Sequence, residues 1–243
     1  MGTTAQNVGR AVSGVFKTLS QITRGLANAL DTAVDFAYVR VFGLPFIVLG
    51  YRGTGKTTLL ARLRDQIADI EEFDPDPTAA GGDPVPAFRA PVGANGGSVR
   101  VKPRRDVGGE YSMWETDWLT LYREAKPRGI IYLIDHTNVF QHKDGLNYVL
   151  QMLDEERAQK PIKVFLLLVN KSDLWQDEMT MDEILEDYRN EVRRLKSQAE
   201  RLRYDYMIRE SSALTGDSLN TALTDFFDAV RPRSQQKRAE GDA

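Results

Sequence analysis

Two continuous apolar runs, GIIYLID at 129–135 and IKVFLLLVN at 162–170, constrain this chain more than any other feature. A strand that is apolar at every position needs cover on both faces, and central strands of a parallel sheet have it. A shorter run, Phe46 to Leu49, is bounded by Pro45 and Gly50 and reads as a third buried strand. Leu59, Leu60, Leu63 and Ile67 mark one face of a helix from Thr57 to about Ile70. Further helical patterns lie at about 142–157 and 181–203, the second opened by a capping box of Thr180 with Glu183. The stretch PVPAFRAPVGANGGSVRVKPRRDVGG reads as two strands turning at Asn95-Gly96-Gly97, and Pro91 marks the first as an edge strand. YDYMIRESSA reads as the last strand and 217–230 as the last helix. Strands alternating with helices, plus one hairpin, describe a three-layer α/β domain that binds ligands at the carboxyl ends of its strands.

Ahead of this domain, Val8, Val12, Val15, Leu19, Ile22, Leu26, Leu30 and Val34 recur at steps of three or four. They form an apolar stripe on a helix, with Arg10, Lys17 and Arg24 as its only charges before Asp31. Such a helix packs on the main domain, pairs with its copy in a homo-oligomer, or lies on a membrane surface. Residue 6 is Gln, so the myristoylation pattern fails. The expected organisation is a helical extension over 1–43, one domain over 44–231 and a polar tail over 232–243.

Composition narrows the function. A net charge of -3 is too mild for a nucleic-acid binder. With no cysteine and only two histidines, His136 and His142, thiolate chemistry and a histidine metal cluster are both excluded as expectations. No apolar run has the roughly 18–20 residues of a membrane span, and no signal-peptide core opens the chain. A cytoplasmic location is the expectation, with peripheral membrane attachment resting on the N-terminal helix.

The chemistry sits in short strings. Gly50-Tyr51-Arg52-Gly53-Thr54-Gly55-Lys56-Thr57 matches G-x-x-x-x-G-K-[ST], after a strand and before a helix. Gly50, Gly53, Thr54, Gly55, Lys56, Thr57 and Thr58 are the expected phosphate-binding set. The glycines let backbone N–H groups turn inward, Lys56 meets the β- and γ-phosphates, and Thr57 offers a hydroxyl to Mg²⁺. Asp106-Val107-Gly108-Gly109 follows, ending the hairpin's second strand; its aspartate suits Mg²⁺ and the Gly109 N–H a γ-phosphate. In Asn170-Lys171-Ser172-Asp173, the Asp173 carboxylate can accept two hydrogen bonds from guanine, a donor pair that adenine lacks. In Ser212-Ala213-Leu214, the Ala213 N–H is placed to reach the guanine carbonyl.

With these strings in order, the sequence resembles the Ras-like small GTPases, and within them the Arf and signal-recognition-particle-receptor beta branch, over roughly residues 44–230. DVGG, GIIYLIDHTN, NKSD and Pro77-Thr78 carry the resemblance. It implies a P-loop GTPase fold with a six-stranded, mostly parallel sheet and one antiparallel edge strand. It implies GTP/GDP and Mg²⁺ as cofactors, with Thr78 joining Thr57 and Asp106 at the metal. It also implies two switch segments, near 71–84 and 108–124, that grip the γ-phosphate and relax after hydrolysis.

The chain departs from that pattern at two residues. Glu110 stands where the family has the glutamine that orients the attacking water; a carboxylate there cannot donate a hydrogen bond toward the γ-phosphate and repels it. Slow hydrolysis by a set of Lys56, Thr78, Gly109, Glu110 and Arg52 is therefore the expectation. Arg52 stands where Ras proteins have glycine. It is solvated, pairs with Glu110, or reaches the γ-phosphate as an arginine finger, and the sequence leaves all three open. Tyr111, Trp114, Trp118 and Leu121, at helical spacing on the second switch, are read as anchors for a protein effector. The alternative function is a non-hydrolysing GTP-binding subunit or scaffold that uses the N-terminal helix for attachment.

Overall fold

The computed structural model describes residues 43–67, 72–73, 75–92, 97–156 and 162–231. The expected N-terminal helix, the C-terminal tail and the Asn95-Gly96 part of the hairpin turn lie outside these residues.

The apolar runs form the middle of a six-stranded sheet. Strand β1 (Leu44–Gly50) is buried at every position and pairs in parallel with β6 (Gly129–Ile134), which pairs in parallel with β7 (Val164–Val169). On one side β7 pairs with β8 (Asp205–Glu210); on the other β1 pairs with β4 (Gly97–Lys102), which pairs antiparallel with the edge strand β3 (Phe88–Val92). The sequence expectation of one antiparallel edge strand, and Pro91's place on it, hold. One feature differs. Pro103 separates β4 from β5 (Arg104–Asp106), so Asp106 does not end the hairpin. It ends a separate two-stranded ribbon in which β5 pairs with β2 (Asp83–Val85), with Asp83 opposite Asp106. A proline cannot donate to a ladder, which accounts for the change of partner.

Alternate residues of β1 face two different layers. Ile47 and Leu49 join a cluster with Trp114, Trp118, Leu146, Val149 and Phe165. Phe46 points to the other face, with its ring 5.4 Å from Phe227 and 6.2 Å from Phe226 of the last helix, α8 (Leu219–Val230). Each large apolar side chain buried this way contributes roughly 1.5–3 kcal/mol.

Helix boundaries depart from the sequence reading where single side chains intervene. The first helix, α1 (Lys56–Leu63), ends before the expected Ile70, and Asp65 takes a left-handed backbone with φ 55°. After β6, Asp135 Oδ1 accepts from the Thr137 N–H at 2.8 Å and closes a turn. That turn starts helix α4 (Val139–Glu155) earlier than the periodicity implied. The expected single helix over 181–203 is two, α6 (Met181–Asp187) and α7 (Arg189–Leu202), broken at Tyr188. The break is built inward: Tyr188 is fully buried, with its hydroxyl 3.1 Å from His142 Nδ1. The capping box of Thr180 with Glu183 is present.

Candidate nucleotide-binding site

The loop Gly50–Thr57 joins β1 to α1 at the carboxyl edge of the sheet, and Gly55 caps α1 with φ 91°, a conformation that favours glycine. The loop borders a cavity of about 280 Å³. Arg52, Gly53, Gly55, Lys56, Thr57, Thr58, Thr78, Gly109 and Glu110 all line it. Gly50 and Thr54 do not line it and instead shape the loop. The buried Thr54 hydroxyl donates to the Tyr51 carbonyl at 2.8 Å, and Lys56 Nζ donates to the same carbonyl at 3.1 Å. Burial pulls the Lys56 pKa down to about 8, with the Asp106 carboxylate pulling it back up. An ammonium held in this way gains strongly from an incoming anion.

Three oxygens meet beside it. Thr57 Oγ1 donates to Asp106 Oδ2 at 2.6 Å, Thr78 Oγ1 lies 3.4 Å from the same oxygen, and the two hydroxyls are 3.4 Å apart. The other carboxylate oxygen, Asp106 Oδ1, is buried without a hydrogen-bond partner, and burial raises the Asp106 pKa. A hard divalent cation suits this set: two hydroxyls and one carboxylate, of which one oxygen is unsatisfied. Among the described residues no group of three or more His, Asp or Glu side chains could hold a metal alone. Such an ion would therefore take its remaining ligands from phosphate and water, as Mg²⁺ does in nucleotide sites.

The turn at Gly108-Gly109 lies directly on the loop Gly50–Thr57. A Cβ at Gly109 would run into the backbone of Gly50, Tyr51 and Arg52, so no other residue allows this approach. Two indoles hold the turn from below. Trp118 Nε1 donates to the Gly108 carbonyl at 2.9 Å, and Trp114 Nε1 donates to the Gly109 carbonyl at 3.1 Å. Their rings stack at 5.2 Å within a π-helical turn, Trp114–Trp118, between α2 (Tyr111–Met113) and α3 (Leu119–Ala125). This corrects the reading of Trp114, Trp118 and Leu121 as effector anchors. Trp114, Trp118 and Leu121 are 3%, 0% and 1% exposed, and only Tyr111, at 74%, faces solvent. Of the three readings of Arg52, the pair is the one observed: its guanidinium sits 2.9 Å from Glu110 Oε1.

At the far side, Asn170 joins three segments. Its amide nitrogen donates to the Thr54 carbonyl at 2.8 Å, and its Oδ1 accepts from the Ala213 N–H at 2.8 Å and lies 3.4 Å from Ser211 Oγ. The Ala213 N–H is thus paired with Asn170 in this structure. Ser212 Oγ likewise serves the turn, accepting from the Thr215 N–H at 3.1 Å. Leu214 contributes its carbonyl to Arg62. Lys171 Nζ reaches the buried Asp135 at 2.6 Å. Burial works against that carboxylate, but hydrogen bonds from Lys171 and Thr137 prevail and hold its pKa below the usual value. Asp173, in the short helix α5 (Ser172–Trp175), keeps a buried Oδ1 with no hydrogen-bond partner. Asp135, Arg62 and the Trp175 indole, which donates to the Asn170 carbonyl at 2.9 Å, went unmarked in the sequence. Asp135 sits inside the GIIYLIDHTN string without a role of its own there, and Arg62 and Trp175 lie outside any motif.

The sheet order, the loop at the end of β1 and the helices on both faces define the P-loop GTPase fold. No protein-family model and no curated protein matches the chain. Among solved structures it is similar to the Arl6 BBS3 small GTPase from Trypanosoma brucei, which holds the nucleotide analogue GppNp. That likeness has 18% identity and a TM-score of 0.51, and it covers 79% of this chain and 98% of that one. That neighbour is a small GTPase, and the likeness shows that the two chains share a fold.

Proposed function

We propose that the protein is a guanine-nucleotide-binding switch that takes GTP or GDP with Mg²⁺ and hydrolyses GTP slowly. The observation that carries this reading is the set of unsatisfied groups on one edge of the sheet. Asp106 Oδ1 is buried without a hydrogen-bond partner beside two hydroxyls, Asp173 Oδ1 lacks a partner on the base side, and the buried Lys56 ammonium lines the cavity next to the first of them. The solved neighbour's bound GppNp supports the same class of ligand.

In this reading Lys56 and the N-terminus of α1 hold the β- and γ-phosphates. Thr57, Thr78 and Asp106 hold Mg²⁺, which supplies charge neutralisation on the phosphate oxygens when bound. Asp173 selects guanine through its ring N–H and amino group. Hydrolysis adds water at the γ-phosphorus and releases phosphate and GDP. Glu110 can accept a proton from that water but donates nothing to the γ-phosphate. The GTPase domain spans 44–231, with 1–43 and 232–243 as extensions; an attachment role for residues 1–43 in a cytoplasmic, peripherally bound protein belongs to the same proposal. Among the described residues no helix is long and apolar enough to cross a membrane.

A second reading has one observation in its favour. Glu110 is engaged by Arg52, which keeps the residue at the water position occupied. A subunit that holds GTP without cleaving it would look the same. Single-turnover hydrolysis of GTP, preloaded with Mg²⁺ on the full-length protein, separates the two. Phosphate release, even slow, supports the switch; stable bound GTP supports the non-hydrolysing subunit; and no binding of guanine nucleotide at all overturns both.

A further inference from the structure

Arg62 ties the phosphate-binding helix to the loop on the base side. Its Nε donates to the Ala213 carbonyl at 3.3 Å and its Nη2 to the Leu214 carbonyl. The fork of a guanidinium spans two successive carbonyls in a way that no other side chain matches. Ala213 is also held through its preceding peptide, whose N–H donates to Asn170 Oδ1. The turn after it is closed by its own bonds, Gly216 N–H to the Ser212 carbonyl and Ser212 N–H to the Asp217 carbonyl. Arg62 is thus the tie that reaches this turn from α1.

Position gives the contact its meaning. Arg62 lies on the same short helix as Lys56 and Thr57, six residues on, or about 9 Å along the axis. One rigid element therefore presents its N-terminus to the phosphates and its last turn to the loop beside the base. We propose that Arg62 is a positioning residue for the base. By clasping Ala213 and Leu214 it fixes the loop that closes the base pocket against Asp173, and it slows nucleotide release. This rests on the guanine-nucleotide reading above and adds a residue that touches neither phosphate nor base.

A plainer role is also available to Arg62, since a cation in the last turn complements a helix dipole. The test therefore includes a variant that keeps the charge. Dissociation of a fluorescent GDP analogue is measured by stopped flow on full-length wild type, Arg62→Ala and Arg62→Lys with Mg²⁺. Inorganic triphosphate, which has no base, serves as competitor in a parallel arm. Release is expected to be about tenfold faster or more in Arg62→Ala, the scale of losing two charged hydrogen bonds. Arg62→Lys should fall well short of wild type, because a single ammonium cannot hold both carbonyls. Triphosphate affinity should be the same in all three, since the phosphate loop is untouched. Unchanged release in Arg62→Ala overturns the proposal, as does full rescue by lysine or an equal loss of triphosphate binding. Failure of the wild type to bind the GDP analogue would instead remove the guanine-nucleotide reading itself.

Discussion

Arg52 and Glu110 face each other across 2.9 Å, joining the middle of the phosphate loop to the residue that follows the D-x-x-G turn. Both side chains are about half exposed, at 59% and 45%. Exposed pairs of this kind contribute roughly 0–1 kcal/mol, so the bridge does little for stability. Its consequence is positional, because it directs the guanidinium at Glu110. Arg52→Ala should therefore melt within about a degree of wild type and hydrolyse preloaded GTP at the wild-type rate. A fall in the single-turnover rate of roughly 10³-fold or more would show instead that Arg52 leaves Glu110 and acts on the γ-phosphate.

Trp114 and Trp118 should behave as structural donors. Trp118→Phe keeps most of the ring volume but removes the donor to the Gly108 carbonyl, leaving a buried oxygen unpaired. The expected loss is about 1–3 kcal/mol in urea unfolding. Tyr111→Ala, on the exposed side, should change stability by no more than about 0.5 kcal/mol. If the effects were reversed, with Trp118→Phe silent, the indole bonds would not be holding the turn.

His142 sets a pH dependence from beneath the nucleotide site, where it borders Asp135, the partner of Lys171. It is fully buried; its Nδ1 faces the Tyr188 hydroxyl at 3.1 Å and the Asp135 N–H at 3.4 Å, and its Nε2 has no partner. Burial pulls its pKa from 6.5 down to about 4, with Asp135 opposing. Above pH 6.5 the ring is neutral in both the folded and the unfolded chain. Between 6.5 and 4 the unfolded chain takes up a proton that the folded chain refuses, so stability falls as pH drops through that window. The full cost is about 3 kcal/mol. The low Asp135 pKa acts below this range and does not mask it. His142→Gln, which still offers the Tyr188 hydroxyl an acceptor, should flatten the slope of unfolding free energy between pH 6.5 and 4.5. An unchanged slope would mean that the ring titrates normally.

What could be read in advance follows from where the physics is written. The phosphate loop, DVGG and NKSD are contiguous strings whose chemistry needs no knowledge of distant residues, and the structure brings them to one edge. The apolar runs announced β6 and β7 because complete burial leaves no polar position. Trp114 and Trp118 were misread because helical spacing of aromatics looks the same whether the stripe faces the core or a partner. What decides is the pair of carbonyls above them, and that is tertiary information. The break at Tyr188 has the same origin, because nothing in residues 181–203 shows a histidine on another helix waiting for the hydroxyl. The hydrogen bond between the Ala213 N–H and Asn170, 43 positions earlier, was hidden for the same reason.

Asp173 offers the sharpest test of the base side. Its Oδ1 is buried with no hydrogen-bond partner, an arrangement that costs stability unless a ligand donates to it. Guanine supplies two donors to a carboxylate, at its ring N–H and its amino group. Xanthine has a carbonyl in place of that amino group and would bring an oxygen against the carboxylate. Asp173→Asn reverses the match, because the amide presents a donor to the xanthine oxygen and keeps an acceptor for the ring N–H. Sites built around such donors reject a mismatched analogue by large factors, so GDP affinity should fall about 100-fold or more while XDP affinity rises. Competition against a fluorescent GDP analogue measures both, and thermal unfolding confirms that the variant is folded. A folded Asp173→Asn protein that keeps wild-type GDP affinity would place the base elsewhere and remove Asp173 from recognition.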